Sequence, residues 1–136
     1  MTESFDELMD LGFAPHLLAG HMGVRVLSCA NGKARLRMPF RSHYLQMLGV
    51  VQGGVIATLC DMTMGWSVLS VVHPRLGPTI DLSVSYLRSA AAHDLECDAV
   101  VLRAGRSIAH ARAEVLNLDG VLIATASGSF LLRDRQ

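Results

Sequence analysis

Apolar residues along the chain change their period several times, and each change marks an element. Ser4 stands before Phe5, Leu8, Met9 and Leu11, a helix-type spacing behind a capping residue, and predicts a short helix ending near Gly12. From His21 the pattern alternates: Met22, Val24 and Val26 oppose Gly23, Arg25 and Leu27. Beyond Asn31-Gly32, the residues Ala34, Leu36, Met38 and Phe40 oppose Lys33, Arg35 and Arg37. Asn-Gly between two alternating runs predicts a β-hairpin, because both turn residues must take positive φ. After a polar stretch, 41–48, the twenty residues Gly53–Val72 are apolar on nearly all sides, which predicts a long helix that something wraps. His73-Pro74 and Gly77-Pro78 stop it. Alternation then resumes with Ile80, Leu82, Val84 and Tyr86 against Thr79, Asp81, Ser83 and Ser85, and continues through 95–103, 107–118 and 121–132. Asp119-Gly120 parts the last two runs as a second hairpin dipeptide. This order predicts an α+β fold over residues 1–136, a curved antiparallel sheet of about six strands wrapped around one long central helix. The tight turns argue against a parallel doubly wound sheet, which needs a helix after every strand.

Composition narrows the possibilities. With 136 residues, 51% of them hydrophobic and 18% charged, the chain has the size and apolar content of a single folded domain. Twelve Lys and Arg balance twelve Asp and Glu, so no net field draws it to nucleic acid or to anionic lipid, and neither is expected as a partner. Gly53–Val72 has the length of a membrane span, but a carboxylate, Asp61, falls near its middle and argues for a buried helix. Three cysteines without a CxxC pair, behind an acidic N-terminus, predict a reduced, cytoplasmic protein. So neutral and apolar a chain is expected to place part of its surface in a subunit interface.

Candidate chemistry concentrates in residues 46–61, QMLGVVQGGVIATLCD. Glycines 53 and 54 at a helix start allow close approach to the backbone and leave first-turn N–H groups free, at the positive end of the helix dipole. They suit a developing oxyanion; they also suit a plain loop-to-helix bend. Asp61 sits among Leu59, Cys60, Met62 and Met64, where an unpaired carboxylate is rare, so it is either a catalytic acid-base group or a paired structural one. Eight residues of helix separate it from Gly53, roughly 12 Å along the axis. If both act on one carbonyl, one of them must come from a second copy of the chain. The six histidines lack metal-ligand spacing, and no metal site is expected. Ser67 and Ser70 lack a G-x-S-x-G elbow. Trp66 reads as core, Asp81 as a structural hydrogen-bonding residue, and Met47, Met62 and Met64 as core or a pliable pocket lining. Arg103, Arg106 and Arg112 read as solvated cations or a phosphate patch.

The run G-x-x-Q-G-G-V-I-A-T-L-x-D, followed by Thr79-Ile80-Asp81-Leu82-Ser83-Val84-Ser85-Tyr86-Leu87-Arg88-Ser89-Ala90, resembles the PaaI-type (phenylacetate-degradation) hotdog-fold acyl-CoA thioesterases. The resemblance spans roughly residues 15 to 132. It implies the hotdog fold, self-association as a dimer or a tetramer, and hydrolysis of a small or aromatic acyl-CoA, an arylacetyl-CoA for example. Coenzyme A is then part of the substrate, and no further cofactor is implied. By resemblance, Asp61 is the base or nucleophile and the Gly53 N–H the oxyanion donor. Gln46 helps hold the lytic water or the substrate carbonyl, Thr79 stands near that water, and Gly54, Arg88, Arg106 and Ser107 meet the substrate. Gln52 departs from the pattern, since the family usually has His before Gly-Gly. Its amide can still donate a hydrogen bond, without a protonation change. The departure leaves a second reading, an acyl-CoA-binding protein with little turnover, and a more remote third, hydration of an enoyl thioester.

Overall fold

The computed structural model describes residues 3–75 and 77–134. Helix α1 (Phe5–Gly12) opens with a capping box, in which the Glu7 N–H donates to the Ser4 hydroxyl and the Ser4 N–H to the Glu7 carboxylate. A single turn, α2 (Leu18–His21), leads to the hairpin of β1 (Arg25–Ala30) and β2 (Lys33–Met38). A short 3-10 turn (Ser42–Tyr44) and a compact loop precede the long helix α3 (Gly53–Val72). Four strands follow: β3 (Thr79–Tyr86), β4 (Leu95–Ala104), β5 (Ile108–Asn117) and β6 (Leu122–Leu131). They form one antiparallel sheet in the order β1-β2-β4-β5-β6-β3.

Helix α3 lies against the inner face of this sheet and touches all six strands. Its buried stripe is Ile56, Leu59, Cys60, Thr63, Met64, Ser67, Val68 and Val72. The strands beneath it turn small side chains inward, Ala109, Ala111 and Ala113 from β5 and Ala124, Ala126 and Gly128 from β6, all buried. That choice lets the sheet close on the helix. At Gly128 the approach is tight, because an added Cβ would lie 3.1 Å from Cε of Met64, which would have to give by a few tenths of an ångström. The two hydroxyls buried in the stripe are satisfied within the helix, Thr63 donating to the Leu59 carbonyl and Ser67 to that of Met64. Ser70 accepts from the Gly32 N–H at 2.8 Å and ties the β1–β2 turn to the helix. That turn has Asn31 at φ 55 and Gly32 at φ 80, the positive values the dipeptide announces.

Two local expectations fail. The alternation from Met22 to Leu27 does not open a strand: β1 starts at Arg25, and Met22 and Val24 are buried from a loop that pivots on Gly23 at φ 74. Two apolar residues on either side of a positive-φ glycine imitate a strand period. Asp81 is exposed and makes no side-chain hydrogen bond among the described residues, since β3 is an edge strand with one side unpaired.

On the outer face, Asp94 joins β2 to the start of β4. Its carboxylate accepts from the Phe40 N–H at 2.7 Å and from the Arg37 guanidinium at 3.0 Å. The backbone donor first, and Arg37 with it, hold this carboxyl below the usual carboxylate range. A depressed folded pKa contributes stability above the unfolded value, about 3.9, and loses it as pH falls through the folded one. In urea melts across pH 2 to 6, Asp94→Asn will therefore be less stable than wild type at pH 6 and will show a shallower loss on acidification below about pH 4.

Candidate active site

Asp61 leaves the buried stripe of α3 and sits half-buried, at the rim of a cleft between α3 and the ends of β3 and β6. Its Oδ1 accepts from the Thr79 hydroxyl at 2.7 Å. Thr79 can reach it because β3 runs back along α3, its first residue beside the middle of the helix. The hydroxyl orients the carboxylate and leaves Oδ2 available to a water or a substrate atom.

The other end of β3 meets the start of the helix. Tyr86 donates its phenol hydrogen to the Gly53 carbonyl at 2.6 Å, and an added Cβ on Gly53 would lie 3.2 Å from that ring. A side chain here would press on the aromatic ring above it. Partial burial holds the Tyr86 phenol above its usual pKa, so at neutral pH it is protonated and donating. The Gly53 and Gly54 amides find no acceptor among the described residues, and an added Cβ on Gly54 would meet nothing within 4 Å. Gln46, Gly53, Tyr86 and Arg88 line one depression. Gln46 accepts from the Leu48 N–H and folds the loop before the helix, while Arg88 donates to the Leu122 carbonyl at 3.2 Å. Gln52 is the N-cap residue; its side chain is exposed, makes no capping bond and lines a separate groove with Gly54, His43 and Thr58.

Within one chain the two sets therefore stay apart. Asp61 and Thr79 line the first cleft, Gly53 and Gln46 the second depression, at opposite ends of β3. The anion-binding expectation divides in the same way. The turn with Arg106 and Ser107 belongs to the Asp61 end, because Arg75 donates to the Arg106 carbonyl at 2.8 Å and the Leu132 N–H to that of Ser107 at 2.7 Å. Arg88 is at the Gly53 end. Arg112 joins neither, lying on the outer face of the sheet with Arg35, Asp98 and Glu114.

Three residues at these sites were not legible as site residues: Tyr86, Arg75 and Trp66. Tyr86 ends an alternating run, and only the return of β3 along α3 gives it a role. Arg75 directly follows His73-Pro74, a segment whose path depends on the packing of the helix end. Trp66 is half-buried rather than deep core, on the helix face under α1. Met64 is core, Met62 lines the Asp61 cleft, and Met47 projects into solvent at 94% exposure. The three cysteines are free, and burial pushes the Cys29 thiol up to about 11, so it is no thiolate nucleophile at neutral pH. Among the described residues no group of three or more His, Cys, Asp or Glu side chains is placed to hold a metal ion.

Comparison with known proteins agrees with this architecture. A family model described as "Thioesterase superfamily" matches residues 48–124, from the loop before α3 into β6. A putative esterase of Halobacterium salinarum is 35% identical over 127 residues, covering 85% of this chain and 83% of the relative. Human acyl-coenzyme A thioesterase 13 is 27% identical over 103 residues, 74% of each chain. Among solved structures, a single-residue mutant of the phenylacetic acid degradation protein PaaI from Thermus thermophilus superposes with a TM-score of 0.76 at 25% identity, covering 83% of this chain and 96% of that one. With its six-stranded antiparallel sheet closed on one long helix, the chain has the hotdog fold and belongs to the thioesterase superfamily.

Proposed function

We propose that this thioester hydrolase splits a small or aromatic acyl-CoA, such as an arylacetyl-CoA, into free acid and coenzyme A at sites shared by two copies of the chain. The observation that carries the reading is the pair of hydrogen bonds at the two ends of β3, Thr79 to Asp61 and Tyr86 to Gly53. Strand β3 is an edge strand, and it exposes Ile80, Leu82 and Tyr86, with Leu87 just beyond. An apolar edge of this kind is a template for another strand. If a second copy pairs antiparallel with it about a two-fold axis near Leu82 and Ser83, Thr79 falls opposite the partner's Tyr86. Asp61 then moves toward the partner's Gly53, a meeting that one helix forbids.

The chemistry follows from those groups. The acyl carbonyl oxygen receives the Gly53 N–H, backed by the helix dipole, and the negative charge of the tetrahedral intermediate is stabilised there. Asp61, oriented by Thr79, accepts a proton from the attacking water, or attacks the carbonyl itself. Collapse of the intermediate expels the thiolate, a good leaving group, so the reading needs no resident cofactor. Coenzyme A phosphates are assigned to Arg106 and Ser107, with Arg75 beside them and Arg88 at the other end. The three free thiols fit the proposed cytoplasmic setting. Neither nucleic acid nor membrane has a part in the reading, because the chain is neutral and α3 serves the core.

The direct test is release of free thiol from a panel of acyl-CoAs. Asp61→Asn is expected to lower kcat/KM by about 100-fold or more while leaving the melt unchanged. Binding of a non-hydrolysable acyl-CoA with no thiol release by the wild type would instead select a binding protein, the alternative that the exposed Gln52 side chain supports. With turnover established, Gln52→His reports what the replacement does.

Sharing of the site has its own test. Gly53→Pro removes the donor N–H at the first helical position, where proline is tolerated, and Gln52 at φ −56, ψ 133 already has the backbone a following proline needs; the Tyr86 ring, 3.2 Å from an added Cβ, must give by a few tenths of an ångström to admit it. Gly53→Pro and Asp61→Asn are each expected to be inactive. Refolded together in equal amounts they should regain about a quarter of wild-type activity, since half the dimers are mixed and each mixed dimer holds one intact site. A mixture that stays inactive refutes sharing.

A further inference from the structure

The cleft at Asp61 extends along α3 past Met62, Gly65, Trp66 and Leu69 and is closed on the other side by Phe130 and Leu132. Its volume is about 330 Å3, near the lower end for a small-molecule pocket. Apart from Asp61, Thr79 and Arg75, the groups around it are apolar or glycine.

Gly65 is the informative residue. It lies in the middle of a twenty-residue helix, where glycine is the poorest helix former after proline. At Gly128 and Gly53 the neighbours explain the glycine, but they do not here: an added Cβ would meet only Cε1 of Phe130, at an ordinary 3.8 Å. Packing inside the chain would accept alanine, and the helix would favour it. What glycine supplies at this point is open space in the cleft, one helical turn beyond Asp61.

Trp66, beside it, is the bulkiest lining group and is held in place. Phe13 stacks on the indole with centroids 5.4 Å apart, and Phe5 meets its edge at 6.0 Å. Gly12 brings the end of α1 so close that an added Cβ there would clash with Cζ2 of the indole. The N-terminal helix thus fixes one wall of the cleft.

We infer that this cleft receives the acyl group of the substrate and that Gly65 and Trp66 set the acyl size the enzyme accepts. The inference rests on the thioesterase reading of Asp61 and adds to it the two residues that determine specificity. An acyl group whose carbonyl carbon lies beside Asp61 has its hydrocarbon part directed along the apolar lining, where a methyl group added by the protein removes room for one of the substrate's own.

The test compares kcat/KM for saturated acyl-CoAs from acetyl to palmitoyl, together with benzoyl- and phenylacetyl-CoA, in wild type, Gly65→Ala and Trp66→Ala. Gly65→Ala should melt at or above the wild-type temperature and lose about tenfold or more on the bulkiest groups the wild type accepts, relative to its own rate on acetyl-CoA. Trp66→Ala should shift the preference in the opposite direction, toward longer or wider acyl groups. Profiles parallel to wild type in Gly65→Ala overturn the inference even if Trp66→Ala fails to fold. So does loss of self-association by Gly65→Ala in light scattering, which would make the glycine a contact between helices of two copies. A wild type that releases no thiol from any of these esters overturns the functional reading itself, an outcome distinct from active enzyme with an unshifted profile.

Discussion

The separation of Gly53 and Asp61 along a straight helix constrains everything else in this molecule. Eight residues at 1.5 Å each leave roughly 12 Å between a free amide and an oriented carboxylate, and no rotamer closes that gap. The helix carries no proline that would bend it, and its buried face lies against the sheet, where β5 and β6 turn buried alanines and a glycine inward. If both groups act on one carbonyl, as proposed above, a spacer of this length makes the chain one half of a symmetric device. Strand β3 complements it, since it runs back along the helix, holds both functional ends by side-chain hydrogen bonds and leaves its own outer edge unpaired. The strand that bonds to both Asp61 and Gly53 is thereby also the one whose outer edge is unpaired.

Much of the fold was legible because its boundaries depend on local chemistry. Gly53-Gly54 and His73-Pro74 punctuate a long apolar run, and α3 keeps those limits as Gly53–Val72. Asn31-Gly32 and Asp119-Gly120 turn where positive φ is needed. In the second, the Asn117 side chain accepts from the Asp119 and Val121 amides and completes the turn. The strand order was not legible. Nothing in the alternation of Thr79 to Tyr86 shows that β3 pairs with the last strand instead of a sequence neighbour, because period-two patterning reports which face is buried and not which edge is paired. β3 shows the weakness of the pattern in another way, since Val84 alone among its residues is even half-buried.

The site was legible to the same depth. Asp61 and Gly53 announce themselves as a carboxylate and a glycine pair in an apolar run, whereas the Thr79–Asp61 bond appears only when β3 returns along the helix. Tyr86, Arg75 and Trp66 escaped because each acquires its role from a neighbour distant in sequence: the helix start, the β4–β5 turn and the N-terminal helix respectively. A cation in a loop and an aromatic residue at a strand end are common enough to carry no signal until the chain folds back on itself.

Three glycines of α3 illustrate how such a site and its helix compete. Gly53 is crowded by the ring of Tyr86, Gly54 faces open space, and Gly65 leaves a gap that the chain's own packing does not require. Each lowers helix propensity by up to about 1 kcal/mol relative to alanine. A helix optimised for stability alone would fill at least the last two. Two of them stand at the helix start, where the amides find no acceptor among the described residues, and one a turn beyond Asp61. The helix tolerates them because its stability comes from the buried stripe against the sheet, not from propensity. That division lets one face of α3 hold the fold together while the other borders an open cleft.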